Sequence, residues 1–166
     1  MKFNVEHVFT GVAPATVEAV FFDEAFNVAL CEAVDLEREL LEREQHRETL
    51  QRKTRIRPRR AVPKPLEKAI GSNRLEYIEH IDYSFANQRG QWRVIPAALA
   101  DKISAAGELG FHPQGDGASR WVRGEVNVKL FGVGGMAERF IVSDIEKSYE
   151  RAAEFMRRWL AEQRQG

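Results

Sequence analysis

The sequence has few of the features that mark secreted or membrane-spanning chains. Its single cysteine, Cys31, excludes an intramolecular disulfide. No stretch approaches the run of about 18 apolar residues that a transmembrane helix needs. The first residues, Met-Lys-Phe-Asn-Val-Glu, lack the apolar core of a signal peptide. We therefore expect a cytoplasmic protein without stable membrane insertion.

The chain also has no net charge, because its 25 basic residues balance its 25 acidic ones. A neutral chain has no overall field that attracts nucleic acid, so we expect no nucleic-acid partner. A net charge near zero gives little protection against self-association, and we expect a monomer or a weak homodimer. The histidines lack the close spacing of metal ligands, which predicts no metal and no cofactor; they are His7, His46, His80 and His112.

What the chain does contain suits one folded domain spanning residues 1–166. Hydrophobic residues make up 43% and charged residues 30%, an ordinary balance for a globular protein. The chain is long enough to bury a core without a disulfide or a metal.

The first half of the chain predicts a strand, a helix pair and two long strands. Residues 3–9 alternate as a strand does, and residues 15–34 are mostly helix formers with a break at Asp23-Glu24. Residues 36–44 have helical propensity, but the β-branched residues and alternation further along favour two strands joined near Gln45. Prolines make residues 58–65 a loop, and Leu66–Ile70 suits one helical turn.

The second half predicts a β-meander followed by one long helix. Alternating runs occupy residues 75–85, 92–96, 103–111 and 121–130, with a hairpin loop at His112–Ala118. Successive strands joined by short turns form antiparallel sheets. From Met136 to about Gln163 there is no glycine or proline, and apolar residues recur at i+3 and i+4 steps. These patterns predict an α+β fold in which the helix covers one face of the sheet.

Three segments carry a family resemblance: Phe3–Phe9, Pro14–Phe21 and Val126–Phe140. Together with the element order they resemble the START-like, or SRPBCC, superfamily, which includes pollen allergens and polyketide cyclases. The last segment looks like an uncharacterised bacterial branch, in which a glycine pair and a glutamate, here Gly134, Gly135 and Glu138, open the final helix.

The resemblance implies a helix-grip fold, with about six to seven antiparallel strands curved around a long C-terminal helix. It also implies a cavity that binds a lipid or another apolar or amphipathic small molecule. It carries no catalytic signature, so it favours a binding protein over an enzyme. The side chains expected to contact the ligand are Phe22, Phe26, Glu48, Arg52, Tyr77, Ile81, Tyr83, Trp92, Phe111, Ile141, Ile145, Tyr149 and Met156.

The third strand is charged for one that lines an apolar space. If its inward side chains are those of the even-numbered residues 46–56, Glu48 and Arg52 give the cavity a polar side. The opposite parity would bury more charge, so we predict the even one.

Three features leave alternatives open. The charged residues of 47–68 are mostly basic and those of 32–44 mostly acidic. Either the two stretches pair across a hairpin, or the basic loop 58–65 contacts an anion, a lipid headgroup or RNA. The three glycines Gly132, Gly134 and Gly135 allow a close approach of strand and helix, or form an anion site. Cys31 is a buried inert thiol or a reactive one.

Two alternative functions also remain. A cyclase or hydrolase would need an acid/base pair inside the cavity, for which Glu48, His80 and Arg52 are the candidates. An interaction module would dimerise or dock on a partner through the basic loop 58–65.

Overall fold

The structure, a computed structural model, describes residues 1–165. Its elements are β1 (Lys2–Phe9), α1 (Pro14–Phe21), α2 (Glu24–Ala33), β2 (Leu36–His46), β3 (Thr49–Pro58), α3 (Lys64–Ile70), β4 (Tyr77–Ser84), β5 (Arg89–Pro96), β6 (Ile103–Gln114), β7 (Gly117–Val128) and α4 (Gly134–Gln165). None of the helices in this described part is long and apolar enough to span a membrane.

The strands form one antiparallel sheet in the order β1-β7-β6-β5-β4-β3-β2. From β2 to β7 each strand pairs with the next one along the chain, which is a meander. The chain's first strand, β1, joins at the far edge beside β7. With the two short helices after β1 and the long helix α4, this is the predicted α+β helix-grip architecture, and that prediction is confirmed.

A polar side chain divides the first helical stretch into α1 and α2. Asp23 has an extended backbone, and its Oδ2 accepts a hydrogen bond from the amide of Phe26 at 3.1 Å. Such a cap satisfies one of the free amides at a helix start, so α2 begins here in a new direction. The predicted break at Asp23-Glu24 is confirmed.

Helix α4 packs its apolar face against the inner face of the sheet, mainly on β7 and β1. Its buried positions follow the helical period, and they include Ala137, Val142, Ala153, Met156 and Leu160. These buried side chains form an apolar stripe along the helix, which packs against the inward side chains of the strands in one core.

The start of α4 lies unusually close to the end of β7. A Cβ atom at Gly134 would collide with the carbonyl oxygen of Val128, whereas one at Gly135 would meet only the end of the Arg139 side chain. Glu138 Oε2 accepts a hydrogen bond from the amide of Val128 at 3.0 Å. The glycine segment therefore serves the close approach of strand and helix.

Strands β2 and β3 pair their charges across the hairpin. Arg55 Nη1 lies 2.6 Å from Glu39 Oε2, and Lys53 Nζ lies 3.1 Å from Glu42 Oε2. Further along the hairpin, Glu37 lies within 4.0 Å of three basic side chains, those of Arg57, Arg59 and Arg74. The alternating pattern overrides the helical propensity of residues 36–44, because only a strand places these opposite charges side by side.

The structure shortens one predicted loop and moves one predicted turn. Residues 112–118 were expected to be a hairpin loop, but β6 and β7 continue to the pair Gln114↔Gly117, leaving a two-residue turn that contains Gly115. The positive φ of Gly115 (58°) permits this tight turn. The β2–β3 turn falls at Arg47 and Glu48, two residues later than expected.

We expect Gly134→Ala to lower the free energy of unfolding by about 1–3 kcal/mol, because its methyl group forces α4 away from β7. The matched variant Gly135→Ala has room for its methyl group and should leave stability unchanged or raise it by less than about 1 kcal/mol. Urea denaturation of the two variants and the parent checks this. Equal stabilities for both variants would contradict the close-approach role of Gly134.

Candidate functional site

A cavity of about 220 Å³ lies between the inner face of the sheet, helix α2 and helix α4. Most of its wall is apolar or aromatic. The side chains of this part of the wall include Phe3, Phe21, Phe26, Leu30, Val34, Ile56, Leu75, Trp92, Val94, Ala105, Val122, Val126, Ile141 and Ile145. The inward parity of every contributing strand supplies this surface, because successive side chains of a strand alternate between its two faces.

A polar region interrupts the wall on strands β3 and β4. Thr54 of β3 lies opposite Glu79 of β4, and Arg52 is the next inward residue on β3. Arg52 is 5% exposed, and its Nη2 lies 3.7 Å from Glu79 Oε1. Its guanidinium also covers the ring of Phe22, 5.5 Å from the centroid. Burial lowers the pKa of Arg52, and the charge of Glu79 opposes that effect.

Two tyrosines lie on the same wall, Tyr77 on β4 and Tyr149 on α4. Burial, followed by the charge of Glu79, raises the pKa of each hydroxyl well above its usual range. Both side chains are therefore neutral at physiological pH, and each carries a hydroxyl that can donate or accept a hydrogen bond.

A second buried guanidinium, that of Arg120, reaches the cavity from β7. Arg120 is 1% exposed, and its Nη2 donates to the Tyr149 carbonyl at 3.0 Å. The same nitrogen lies 3.1 Å from Nδ1 of His7. Since a guanidinium can only donate, Nδ1 must accept, which requires a neutral imidazole protonated at Nε2. Burial lowers the pKa of Arg120 to about 10.

Further ion pairs border the cavity. Arg38 forms a bidentate pair with Glu24, at 2.7 and 2.9 Å. Arg60, in the loop before α3, lies 2.9 Å from Asp144 of α4 and 3.2 Å from the Ser148 hydroxyl. The basic loop is thus joined to the long helix through one of its arginines.

The structure brings seven of the thirteen predicted contact residues to the cavity: Phe26, Arg52, Tyr77, Trp92, Ile141, Ile145 and Tyr149. Five others are buried in the packed core instead, namely Phe22, Ile81, Tyr83, Phe111 and Met156. Three of them, Phe22, Tyr83 and Phe111, belong to a cluster of packed aromatic rings. There Tyr83 contacts both Phe22 and Phe111 and donates to buried Glu18.

The prediction for Glu48 is wrong. Glu48 is exposed in the β2–β3 turn and does not reach the cavity. The even parity of β3 is nevertheless the inward one, since Leu50, Arg52 and Thr54 are buried while Thr49, Gln51 and Lys53 are exposed. The turn simply begins before Glu48 can occupy an inward position.

The catalytic set proposed for a cyclase or hydrolase does not assemble. His80 faces outward on β4, with its Nδ1 3.2 Å from Arg93, and Glu48 lies in the exposed turn. Only Arg52 of that set lies at the cavity. Within residues 1–165, no three His, Cys, Asp or Glu side chains are grouped as metal ligands.

Cys31 also lies on the cavity wall, where it is buried and free. Burial raises the pKa of its thiol, so the thiolate form is disfavoured. This environment supports the interpretation of Cys31 as an inert thiol.

Many cavity residues were absent from the predicted set, among them the charged residues Glu79 and Arg120. Glu79 shares the strand parity of Tyr77 and Ile81, so the pattern placed it inward although its charge argued against it. Arg120 shares the parity of Val122, but it preceded the expected start of that strand. Extending the inward alternation from Val122 two residues toward the N-terminus would have identified Arg120 as an inward residue.

Comparison with known proteins shows the family of the chain. Residues 4–160 match the family described as Protein of unknown function (DUF2505), and the chain belongs to that family. No curated protein matches the sequence.

Solved structures share the fold at low sequence identity. TTHA0849 from Thermus thermophilus superposes with a TM-score of 0.68 at 15% identity, covering 93% of this chain and 96% of that one. The Zhui aromatase/cyclase from Streptomyces sp. R1128 gives a TM-score of 0.58 at 15% identity, covering 95% and 96%. Ara h 8.0201 gives 0.63 at 9% identity, covering 93% and 96%. At these identities the likeness shows the fold alone.

His7 makes stability depend on pH. Burial and the charges of Arg120 and Arg157 lower its folded pKa to about 4, below the usual value near 6.5. Between about pH 6.5 and pH 4, His7 is therefore protonated in the unfolded chain but neutral in the folded one. The stabilising contribution of His7 is thus present above about pH 6.5 and is lost as the pH falls toward 4. We expect His7→Asn, which keeps an acceptor for Arg120, to lose less stability than the parent between pH 7 and pH 4.5.

Denaturation midpoints at the two pH values measure this difference. His46→Asn is the matched control, because His46 is exposed at the end of β2. A parent and a His7→Asn variant with the same pH dependence would contradict the assignment.

Proposed function

We propose that this protein binds an apolar or amphipathic small molecule in the cavity between its sheet and α4. The cavity of about 220 Å³, with its wall of aromatic and aliphatic side chains, carries the proposal. Ligand sites are typically concave and mostly apolar, with a few polar groups that orient the ligand. Arg52, Tyr77 and Tyr149 are the polar groups proposed for that role.

The cavity size limits the ligand. A cavity of about 150 Å³ holds a benzene molecule, so by proportion about 220 Å³ accommodates roughly nine non-hydrogen atoms. Burying such a molecule contributes about 25 cal/mol for each Å² of apolar surface removed from water, less the cost of ordering it. A short-chain or small aromatic molecule fits this space better than a whole long-chain lipid.

The resemblance to the START-like superfamily supports the proposal. The chain shares its fold with a structure named as an aromatase/cyclase and with Ara h 8.0201. The proposal treats residues 1–166 as one binding domain without a resident cofactor. The cytoplasmic location and the monomeric or weakly dimeric state remain predictions that accompany it.

A substitution that fills the cavity should weaken binding strongly. Ala105 of β6 lines the cavity, while its neighbour Ala106 is exposed on the opposite face of the same strand. With 1-octanol as the probe, we expect saturable binding by the parent, at least tenfold weaker binding by Ala105→Phe, and parent-like binding by Ala106→Phe. Titration calorimetry measures all three.

Native mass spectrometry of the protein purified from its own host complements the titration, since a bound small molecule would appear as a discrete added mass. Equal loss of binding in both variants, or no saturable binding and no added mass in the parent, would contradict the proposed function.

A further inference from the structure

Arg52 is the polar group of the cavity whose bonding is least complete. Its Nε and Nη1 are buried without a hydrogen-bond partner among residues 1–165. Its Nη2 has only the Glu79 carboxylate nearby, and 3.7 Å is an ion-pair distance too long for a hydrogen bond. The guanidinium keeps its charge in proteins, so its five N–H donors require acceptors.

Thr54 extends the same unsatisfied region. It is the next inward residue after Arg52 on β3 and is 1% exposed. Its Oγ1 is also buried without a hydrogen-bond partner in the described part of the chain. Buried polar groups in folded proteins almost always have partners. Two adjacent inward side chains that lack them, both on a cavity wall, mark a place where a further acceptor fits.

The cavity wall carries three arginines and three carboxylates, but in the part of the chain described their pairing leaves one guanidinium without a carboxylate. Each carboxylate on the wall already lies within 4.0 Å of a basic side chain; the pairs are Glu76 with Arg55, Glu79 with Arg52, and Asp144 with Arg60. Arg120, by contrast, has no carboxylate within ion-pair distance among residues 1–165, and its polar partners are His7 and a backbone carbonyl. One guanidinium of the wall is therefore not balanced by a carboxylate.

Glu24 also acts on the charge of Arg52, but it is already paired with other arginines. Glu24 is shared between Arg38 and Arg43, at 2.7 and 3.6 Å. Glu79 is thus the one carboxylate within 4.0 Å of Arg52 in the region described. A buried charge whose one ion pair is too long for a hydrogen bond is costly, and an anionic ligand would offset that cost on binding.

We propose that the cavity selects a small amphipathic monocarboxylate, whose carboxylate is held by Arg52 with Thr54 beside it and whose hydrocarbon part lies against the aromatic wall. This inference rests on the proposed function and specifies the ligand class of the same site. A guanidinium donates charge-assisted hydrogen bonds to a carboxylate, and the buried Nε and Nη1 of Arg52 are free to donate them. Arg120 contributes positive potential but keeps its hydrogen bonds to His7 and Tyr149.

Octanoate and octanamide test the inference, because they have the same size and shape and differ in the charge of the head group. Each has ten non-hydrogen atoms, which is close to the number that the cavity accommodates. In calorimetric titrations of the parent protein at pH 7.5, we expect octanoate to bind at least tenfold more tightly than octanamide. In Arg52→Met, the two affinities should come within about twofold of each other, while octanamide binding is kept.

Lys53→Met is the matched control. Lys53 is adjacent to Arg52 but faces outward, where it pairs with Glu42. Its removal deletes the same charge from the same strand, so the parent's preference for octanoate should persist. Arg52→Gln serves as the second variant if Arg52→Met does not fold, and the comparison in the parent stands without either.

The outcomes separate the two levels of the proposal. If the parent binds octanoate and octanamide equally, the carboxylate selectivity is wrong while the cavity function stands. If neither compound binds, the proposed function fails and the inference with it. If Arg120→Met loses the preference while Arg52→Met keeps it, the assignment to Arg52 is overturned.

Discussion

The packing of helix α4 on the inner face of the sheet is the contact on which the rest of the structure depends. The sheet is an open meander, so one face would remain in water if α4 did not cover it. The helix approaches β7 closely at its start, where Gly134 has no side chain to hold it away from Val128. Further along, Ala153 and Met156 are buried in the same core. One interface between helix and sheet thus contains both a sealed core and a cavity.

The inner surface divides into two regions with different roles. Around Tyr83, aromatic rings pack against one another with centroids 4.6 to 6.2 Å apart and fill the core there. Around Tyr77 and Tyr149 the wall is mixed, and the Arg120 guanidinium lies over the ring of Tyr149. The filled region provides stability, because well-packed apolar side chains contribute most there. The mixed region is where polar recognition is proposed to take place.

Charges on the two faces of the hairpin β2–β3 behave differently. On the outer face the ion pairs are partly exposed, as for Arg55 and Glu39, and water screens them, so each contributes little to stability. On the inner face Arg52 is buried, and desolvation makes its incomplete pairing with Glu79 costly. The same strand therefore carries arginines that stay hydrated and one that suits ligand recognition.

The sequence by itself determined the order of elements, the parity of the strands and the amphipathic face of α4, because these follow from local periodicity. The inward placement of Arg52 and the division between α1 and α2 at Asp23 followed from the same reasoning. Tertiary structure decided which inward side chains pack together and which line a cavity. Phe111 and Trp92 are both buried, yet only Trp92 reaches the cavity, because the rings of Phe21 and Tyr83 pack against Phe111. Likewise, only the fold brings His7, Arg120 and Tyr149 together from β1, β7 and α4. Long-range distances of this kind have no signal in a single sequence, since they depend on how whole elements pack.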